Sequence, residues 1–202
     1  MSDKSSQNTE KMQNTNDEKI RENITDAQTT LARVITWIND CDSKTATVLA
    51  LVGVILTIML TNDGIVTIKA IIKNAINLRE VSGWLFIAMW SIATSVLLFG
   101  FLKLISVLIA STKSKDFKER QLTTNSKIFF GSIARLDSFE EFRNDYEKMS
   151  LSKKLNDLLS QIYINSQIAD EKYKKYNCGL KWTIMGFACF IILFVVGFFI
   201  YY

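Results

Sequence analysis

The chain has 202 residues, of which 49% are hydrophobic and 22% charged, with a formal net charge of +4. It contains no histidine, which removes the commonest general base and the histidine-dependent catalytic triads. Its three cysteines are too few and too widely separated for a disulfide framework or a Cys/His metal site. The small positive excess is also unlike the basic stripe of a nucleic-acid-binding surface. We therefore predict neither an enzyme, nor a metal or cofactor site, nor a DNA or RNA partner.

The first 44 residues consist of a polar segment followed by a segment with regularly spaced apolar residues. Residues 1–19 are polar and almost without apolar side chains, so they cannot offset the entropy lost on ordering, and we predict a disordered tail. In residues 20–44, apolar side chains recur at spacings of three and four, which is typical of one face of an amphipathic helix. The apolar residues are Ile20, Ile24, Ala27, Leu31, Val34 and Ile38. This cytoplasmic helix has no proline or glycine before Gly53, so it can continue into the next segment.

Three apolar segments predict transmembrane helices at 45–61, 84–102 and 180–202. Aromatic side chains at the segment ends are typical of anchors at the lipid headgroups. They are Trp84, Trp182, Tyr201 and Tyr202. Residues 62–83 then form an external loop, with an apolar stretch on the outer membrane surface.

The orientation follows from the distribution of lysine and arginine, which favour the cytoplasmic side. Those flanking the segment between the second and third spans are Lys103, Lys113, Lys115, Lys118, Arg120, Lys172, Lys174, Lys175 and Lys181. The 62–83 loop has only Lys69, Lys73 and Arg79. We predict that the N-terminus and residues 103–179 are cytoplasmic and that the C-terminus is outside.

Residues 103–179 are predicted to form a helical sensor region. Ser138 and Glu141 make a capping-box pattern that starts a short helix over 139–149. From Leu151 an apolar series indicates a long helix that leads into the third span, and Asn165 fills a missing step of that series. The fold class is all-α: three transmembrane helices with a cytoplasmic helical bundle built from extensions of the membrane helices.

Three separated stretches resemble a known family. Trp37–Ala46 (WINDCDSKTA) is similar to its WI-x-x-x-D-x-K-x-A entry into the first span, and Ile128–Ala134 (IFFGSIA) to its FFG-x-I stretch. Leu155–Tyr173 (LNDLLSQIYINSQIADEKY) is similar to its DL-x-x-QI-x-x-NS-x-IA-x-x-KY helix. The family is that of the Pycsar effector membrane proteins, which bacteria use against phage, and the resemblance covers residues 30–202.

The resemblance implies a function and its partners. A companion pyrimidine cyclase makes cCMP or cUMP on infection, and this effector binds the nucleotide and impairs the bacterial inner membrane, with growth arrest or abortive infection as the outcome. The lipid bilayer is then the target, and small-residue pairs in the spans (Ala46 with Ala50, Ser91 with Ser95) favour a homo-oligomer. The alternatives are a constitutive membrane scaffold and an effector that responds to a different cyclic nucleotide or oligonucleotide.

The junction with the first span holds two charged residues of the matched stretch, Asp42 and Lys44. One interpretation is that Lys44 extends to the lipid phosphates while Asp42 stays in water. The other is that Asp42 pairs with a cation of the helix that leads into the third span, such as Lys172 or Lys175, and locks a closed state.

A reader of a cyclic mononucleotide needs one or two cations, polar side chains and a ring for stacking. The candidate ligand-binding residues are Phe130, Arg135, Gln161, Asn165, Lys172 and Tyr173. The competing interpretations are a surface ion pair for Arg135, a register-setting amide for Asn165, and packing for Phe130 and Tyr173.

Overall fold

A computed structural model describes residues 2–77, 80–109, 122–123 and 125–201, with the backbone alone for 2–11. The described residues form six helices: α1 Ser2–Met59, α2 Asn62–Asn77, α3 Val81–Leu108, α4 Phe130–Ile133, α5 Phe139–Glu147 and α6 Leu151–Tyr201. The architecture is all-α, as predicted. Arg79, Tyr202, Thr124 and the basic residues Lys113, Lys115, Lys118 and Arg120 lie outside the described residues.

Three helices are long and apolar enough to cross a membrane, which confirms the three predicted spans. They are the apolar parts of α1, α3 and α6. α3 and α6 extend well beyond the predicted limits of their spans, and α2 occupies most of the predicted 62–83 loop.

The N-terminal segment differs from the disordered tail that its composition suggested. α1 includes residues from Ser2 onward. No glycine or proline interrupts the first 52 residues, so helical hydrogen bonding can propagate from the packed part of α1 toward the N-terminus at low cost. The side chains of residues 12–19 are exposed, so none of them joins a packed layer.

The chain divides into two compact units. We call Met1–Ile38 with Thr112–Ala169 the polar unit, and Asn39–Ser111 with Asp170–Tyr202 the membrane unit. α1 and α6 each contribute residues to both units.

The core of the polar unit joins the two predicted apolar series. Ile24 and Ala27 of α1 are buried against Leu158 of α6. Further apolar side chains of the two series surround this contact: Ile20, Leu31, Leu151, Leu155 and Ile162. The three- and four-residue spacings therefore mark the packed faces of both helices.

The core of the membrane unit brings α2, α3 and α6 together. Ile71 and Ala75 of α2 are almost fully buried, in a cluster with Phe86, Trp90, Ala93, Leu193 and Tyr201. α2 is thus part of a packed core, not only an apolar stretch on the lipid surface. Its Asn74 Nδ2 donates to the carbonyl of Tyr201 at 2.7 Å, which satisfies one of the last carbonyls of α6.

Tyr201 is a correction to the predicted aromatic anchors. It is 8% exposed, and its ring packs on Phe86 with a centroid distance of 5.0 Å. Trp84, at 58% exposed, keeps the exposure that a headgroup anchor needs.

α3 and α6 approach closely through glycine. A Cβ at Gly186 of α6 would lie 2.5 Å from the backbone nitrogen of Leu97, and a Cβ at Gly100 of α3 would overlap the backbone of Thr183. Backbones come this near only where one helix presents no side chain. The small-residue pairs singled out in the sequence, at 46 and 50 and at 91 and 95, are instead exposed.

Candidate ligand cleft and membrane junction

The polar unit holds an irregular segment, the described residues among 122–129, against one face of α6. The backbone N–H of Thr123 donates to Ser160 Oγ at 3.1 Å, and Asn156 Nδ2 donates to Thr123 Oγ1 at 3.2 Å. Ser160 is buried and also donates to the carbonyl of Asn156. Side chains of α6 thereby provide hydrogen-bond partners for polar groups of the irregular segment, which has no helix or strand of its own to pair them.

Asp157 fixes the next part of this segment. It is 1% exposed, and its Oδ2 accepts the backbone N–H of Lys127 at 2.8 Å. Ser126 is also buried, and its Oγ accepts the N–H groups of Ile128 and Phe129 just before α4 begins. The other carboxylate oxygen of Asp157, Oδ1, is buried and accepts no hydrogen bond within the described part of the chain.

Beside this segment the polar unit has a cleft of about 590 Å³. Its lining is mostly polar: Thr123, Asn125, Lys127, Asp145, Lys148, Met149, Ser152, Lys153, Asn156 and Asp157. This volume lies within the range of about 300–1,000 Å³ that is usual for small-molecule sites. The cleft therefore has room for a compact polar ligand.

Two lining residues form an ion pair, Lys127 Nζ with Asp145 Oδ2 at 2.6 Å. The hydrogen bond from Lys127 and its charge lower the pKa of Asp145 from its ordinary value of 3.8. A depressed carboxyl pKa means that the pair stabilises the fold above that ordinary value and is lost only as the pH falls below it. The carboxylate of Asp145 is thus charged at neutral pH.

The membrane unit contains a second polar feature at its junction. Lys172 of α6 is bonded through Nζ to both carboxylate oxygens of Asp42 of α1, and its side chain is 10% exposed against 35% for Asp42. Cys41 and Thr45 on either side of Asp42 are fully buried. This is the ion pair that the second interpretation of Asp42 requires. Lys175 pairs instead with Glu171, one turn away on its own helix.

The six candidate ligand-binding residues are divided between the two units. Phe130, Arg135, Gln161 and Asn165 belong to the polar unit, whereas Lys172 and Tyr173 belong to the membrane unit. None of the six lines the polar cleft.

Their local environments differ. Phe130 is 71% exposed and its ring contacts Phe129, while Arg135 is exposed and forms no ion pair with the residues described. Gln161 is buried, and its backbone carbonyl accepts Nδ2 of the half-buried Asn165 at 2.8 Å. Tyr173 is half-buried and Lys44 is exposed. The ligand and gating roles of these residues stay predictions.

The short helix α5 follows its predicted start. Ser138 Oγ accepts the N–H of Glu141 at 3.1 Å, but the Glu141 carboxylate accepts the N–H of Asp137 in place of that of Ser138. Only half of the reciprocal capping box forms.

Sequence reasoning missed the residues that build the cleft. Asp157 lies inside the matched Leu155–Tyr173 stretch, directly before the buried Leu158, yet the candidates in that stretch are Gln161, Asn165, Lys172 and Tyr173. The sequence signal that could have indicated the site is an acidic residue next to a position of the apolar series, because a carboxylate buried there needs hydrogen-bond donors. Lys148 and Lys153, in contrast, look like ordinary solvated lysines in the sequence.

Comparisons with known proteins bear on both units. The family model described as the Pycsar effector protein domain matches residues 26–200, which includes most of each unit. The chain belongs to the Pycsar effector protein family. It is also 33% identical over 177 residues to the Pycsar effector protein GmPycTM of Gulbenkiania mobilis, covering 83% of this chain and 89% of that protein. No solved structure matches the chain.

Membership of the Pycsar effector family assigns the chain a general role. The chain is a membrane protein and an antiphage defence effector, in a family that works in the context of cyclic-nucleotide signalling. The family is not a known family of enzymes.

Proposed function

We propose that this effector is a ligand-gated membrane protein. It binds a cyclic pyrimidine mononucleotide, cCMP or cUMP, that a companion pyrimidine cyclase makes on infection. It then impairs the bacterial inner membrane as a homo-oligomer, so that growth arrest or abortive infection precedes phage maturation. The observation that carries this proposal is the family match over residues 26–200, which takes in the polar unit and the spans together.

The arrangement of polar groups suits such a switch. The polar unit has a cleft large enough for a small ligand, and the membrane unit has the Asp42–Lys172 ion pair between two of its helices. An ion pair between helices is a discrete contact that is either made or broken, which a two-state element requires. In this proposal the pair holds the resting state.

The required orientation places the ligand-binding part in the cytoplasm. Lysine and arginine, which favour the cytoplasmic side, flank the segment between the second and third spans. A cytoplasmic messenger then reaches the polar unit without crossing the bilayer.

The experiment is a depolarisation assay on reconstituted protein. Vesicles that contain the full chain and hold a potassium-diffusion potential receive cCMP, cUMP, cAMP or a cyclic dinucleotide, and a potential-sensitive dye reports the loss of potential. We expect collapse with one of the pyrimidine nucleotides and not with the other ligands. A move from 1% to 99% in the active state needs a ligand preference of about 10⁴.

Three results would contradict the proposal. Collapse without any nucleotide would indicate a constitutive activity. A response only to the cyclic dinucleotide would show that the signal is an oligonucleotide. No response to any ligand, with the protein correctly inserted, would favour a scaffold.

A further inference from the structure

The polar cleft combines two kinds of recognition chemistry. Lys148 and Lys153 line it and form no ion pair within 4.0 Å among the residues described, whereas Lys127 is engaged by Asp145. Asp157 lines the same cleft with one buried carboxylate oxygen that lacks a donor. The cleft thus offers cations for an anionic group and an acceptor for an N–H or O–H group.

The orphaned oxygen of Asp157 is unusual. The other oxygen of the carboxylate, Oδ2, accepts the backbone N–H of Lys127. This bond fixes the orientation of the carboxylate and leaves Oδ1 without a donor among the described residues. Buried polar atoms are nearly always hydrogen-bonded, and a carboxylate oxygen accepts two or more donors. A ligand that brings a donor to this point would satisfy an atom that the described chain does not.

We propose that this cleft is the nucleotide site of the effector, an inference that rests on the proposed function. Lys148 and Lys153 bind the cyclic phosphate, and Asp157 Oδ1 accepts a hydrogen bond from the nucleotide. An ionised carboxylate is an acceptor only, so it selects a ligand that presents a donor there. In a 3′,5′-cyclic pyrimidine nucleotide these donors are the ribose 2′-hydroxyl and the N–H groups of the base.

The surroundings of Asp157 supply the remaining requirements. Asn125 and Asn156 add amides that donate or accept, and Met149 gives an apolar surface for a pyrimidine face. The same stretch of α6 that carries Asp157 also holds the segment before α4 through Asn156 and Ser160. A ligand in the cleft would therefore contact both α6 and the segment that α6 fixes.

The test measures nucleotide binding to the full chain in detergent micelles by calorimetry. The variants are Lys148→Gln with Lys153→Gln, which removes both cations, and Asp157→Asn, which keeps an oxygen for the Lys127 N–H. Arg143→Gln is the matched control, because Arg143 is an exposed cation of the same unit that does not line the cleft. Thermal unfolding of each variant checks that it folds.

We expect the double lysine variant to raise the Kd for the active nucleotide about ten- to hundredfold and Asp157→Asn to raise it about tenfold, with Arg143→Gln unchanged. The 2′-deoxy nucleotide identifies the donor. If the 2′-hydroxyl meets Asp157, its removal weakens binding to the wild type but not to Asp157→Asn. If a base N–H meets Asp157 instead, removal of the 2′-hydroxyl leaves the effect of Asp157→Asn on the Kd unchanged.

The results also separate this inference from the proposed function. An unchanged Kd in the double lysine variant, with the wild type binding cCMP or cUMP, overturns the cleft assignment and leaves the proposed function standing. A destabilised Asp157→Asn protein with normal affinity limits that residue to fixing the segment before α4 and overturns its role as a ligand contact. If the wild type binds neither nucleotide, both proposals fail.

Discussion

Lys172 donates two hydrogen bonds to the carboxylate of Asp42, with Nζ to oxygen distances of 2.6 and 2.8 Å. The two residues are 130 positions apart in sequence, on α1 and α6, so the pair joins two helices of the membrane unit. Charge-assisted bonds of this length are among the stronger contacts in proteins.

Asp42→Asn is expected to weaken the resting state. Removal of one partner of a fully buried pair costs about 3–5 kcal/mol, and because Asp42 is 35% exposed we expect about 1–2 kcal/mol here. Such a loss raises nucleotide-independent depolarisation about five- to thirtyfold. The measurement is the loss of vesicle membrane potential in the absence of any nucleotide, reported by the potential-sensitive dye.

Two further variants control this experiment. Lys175→Gln breaks an exposed pair within one helix and should change the basal signal little. Asp42→Lys combined with Lys172→Asp restores opposite charges and should recover part of the resting state. A basal signal in Asp42→Asn equal to that of the wild type would refute the locking role.

Gly100→Ala and Gly186→Ala should each destabilise the membrane unit by about 1–3 kcal/mol, because the added methyl group meets the backbone of the facing helix. Gly53→Ala is the matched control in α1, since nothing lies within 4 Å of a Cβ there. It should be neutral or stabilise by up to about 1 kcal/mol through helix propensity. Thermal unfolding in detergent compares the three. Equal unfolding temperatures would show that α3 and α6 do not need the close approach.

Asn165→Leu should make the effector harder to activate. The amide of Asn165 is half-buried and bonds its own helix through the carbonyl of Gln161, so a leucine loses only a local bond and extends the apolar series. A resting-state gain of about 1–2 kcal/mol raises the nucleotide concentration for half-activation about five- to thirtyfold. Loss of nucleotide binding itself would make Asn165 a ligand contact. An unchanged dose response would contradict both roles.

Reporters of membrane topology should place Thr124 in the cytoplasm and the C-terminus outside. A phosphatase that is active only outside is fused through a flexible linker after Tyr202 in one protein and inserted at Thr124 in another. Activity is expected in the first fusion only. The opposite pattern would remove a cytoplasmic messenger's access to the cleft and with it the proposed function.

Deletion of residues 1–19 should leave phage protection intact. Side chains 12–19 are exposed, and among the side chains that the structure describes in α1 the packed face of the polar unit starts at Ile20. Plaque counts on cells that express equal amounts of the full and shortened chains provide the test. A large loss of protection by the shortened chain would show that the tail has a partner.

The amphipathic helices and the membrane spans could be predicted from the sequence. The apolar spacing from Ile20 to Leu31 and from Leu151 to Ile162 defined both faces of the polar unit's core, because a helix repeats its faces every 3.6 residues. The spans followed from apolar length alone. The apolar stretch after Gly64 predicts a segment on the lipid surface, because one chain segment does not reveal whether protein or lipid covers it.

The cleft could not be predicted in the same way. Lys153 and Asp157 lie one turn apart on α6, but Lys148 lies at the C-terminal cap of α5, and no fixed spacing relates these residues to the segment at Thr123. The partner of Asp42 was narrowed to two lysines by charge, and the choice of Lys172 over Lys175 depends on which face of α6 meets α1. Such choices arise only from tertiary packing.

The bond from Asn74 to the carbonyl of Tyr201 restricts how α6 can move in the membrane unit. Sliding of α6 along its own axis would pull its last turn away from α2 and separate the Tyr201 ring from Phe86. A tilt of α6 about that last turn would keep both contacts and produce its largest displacement at the opposite end of the span, toward Lys172. The C-terminal turn is then a fixed pivot, and release of Lys172 from Asp42 would open the helix pair from the junction and not from the far surface.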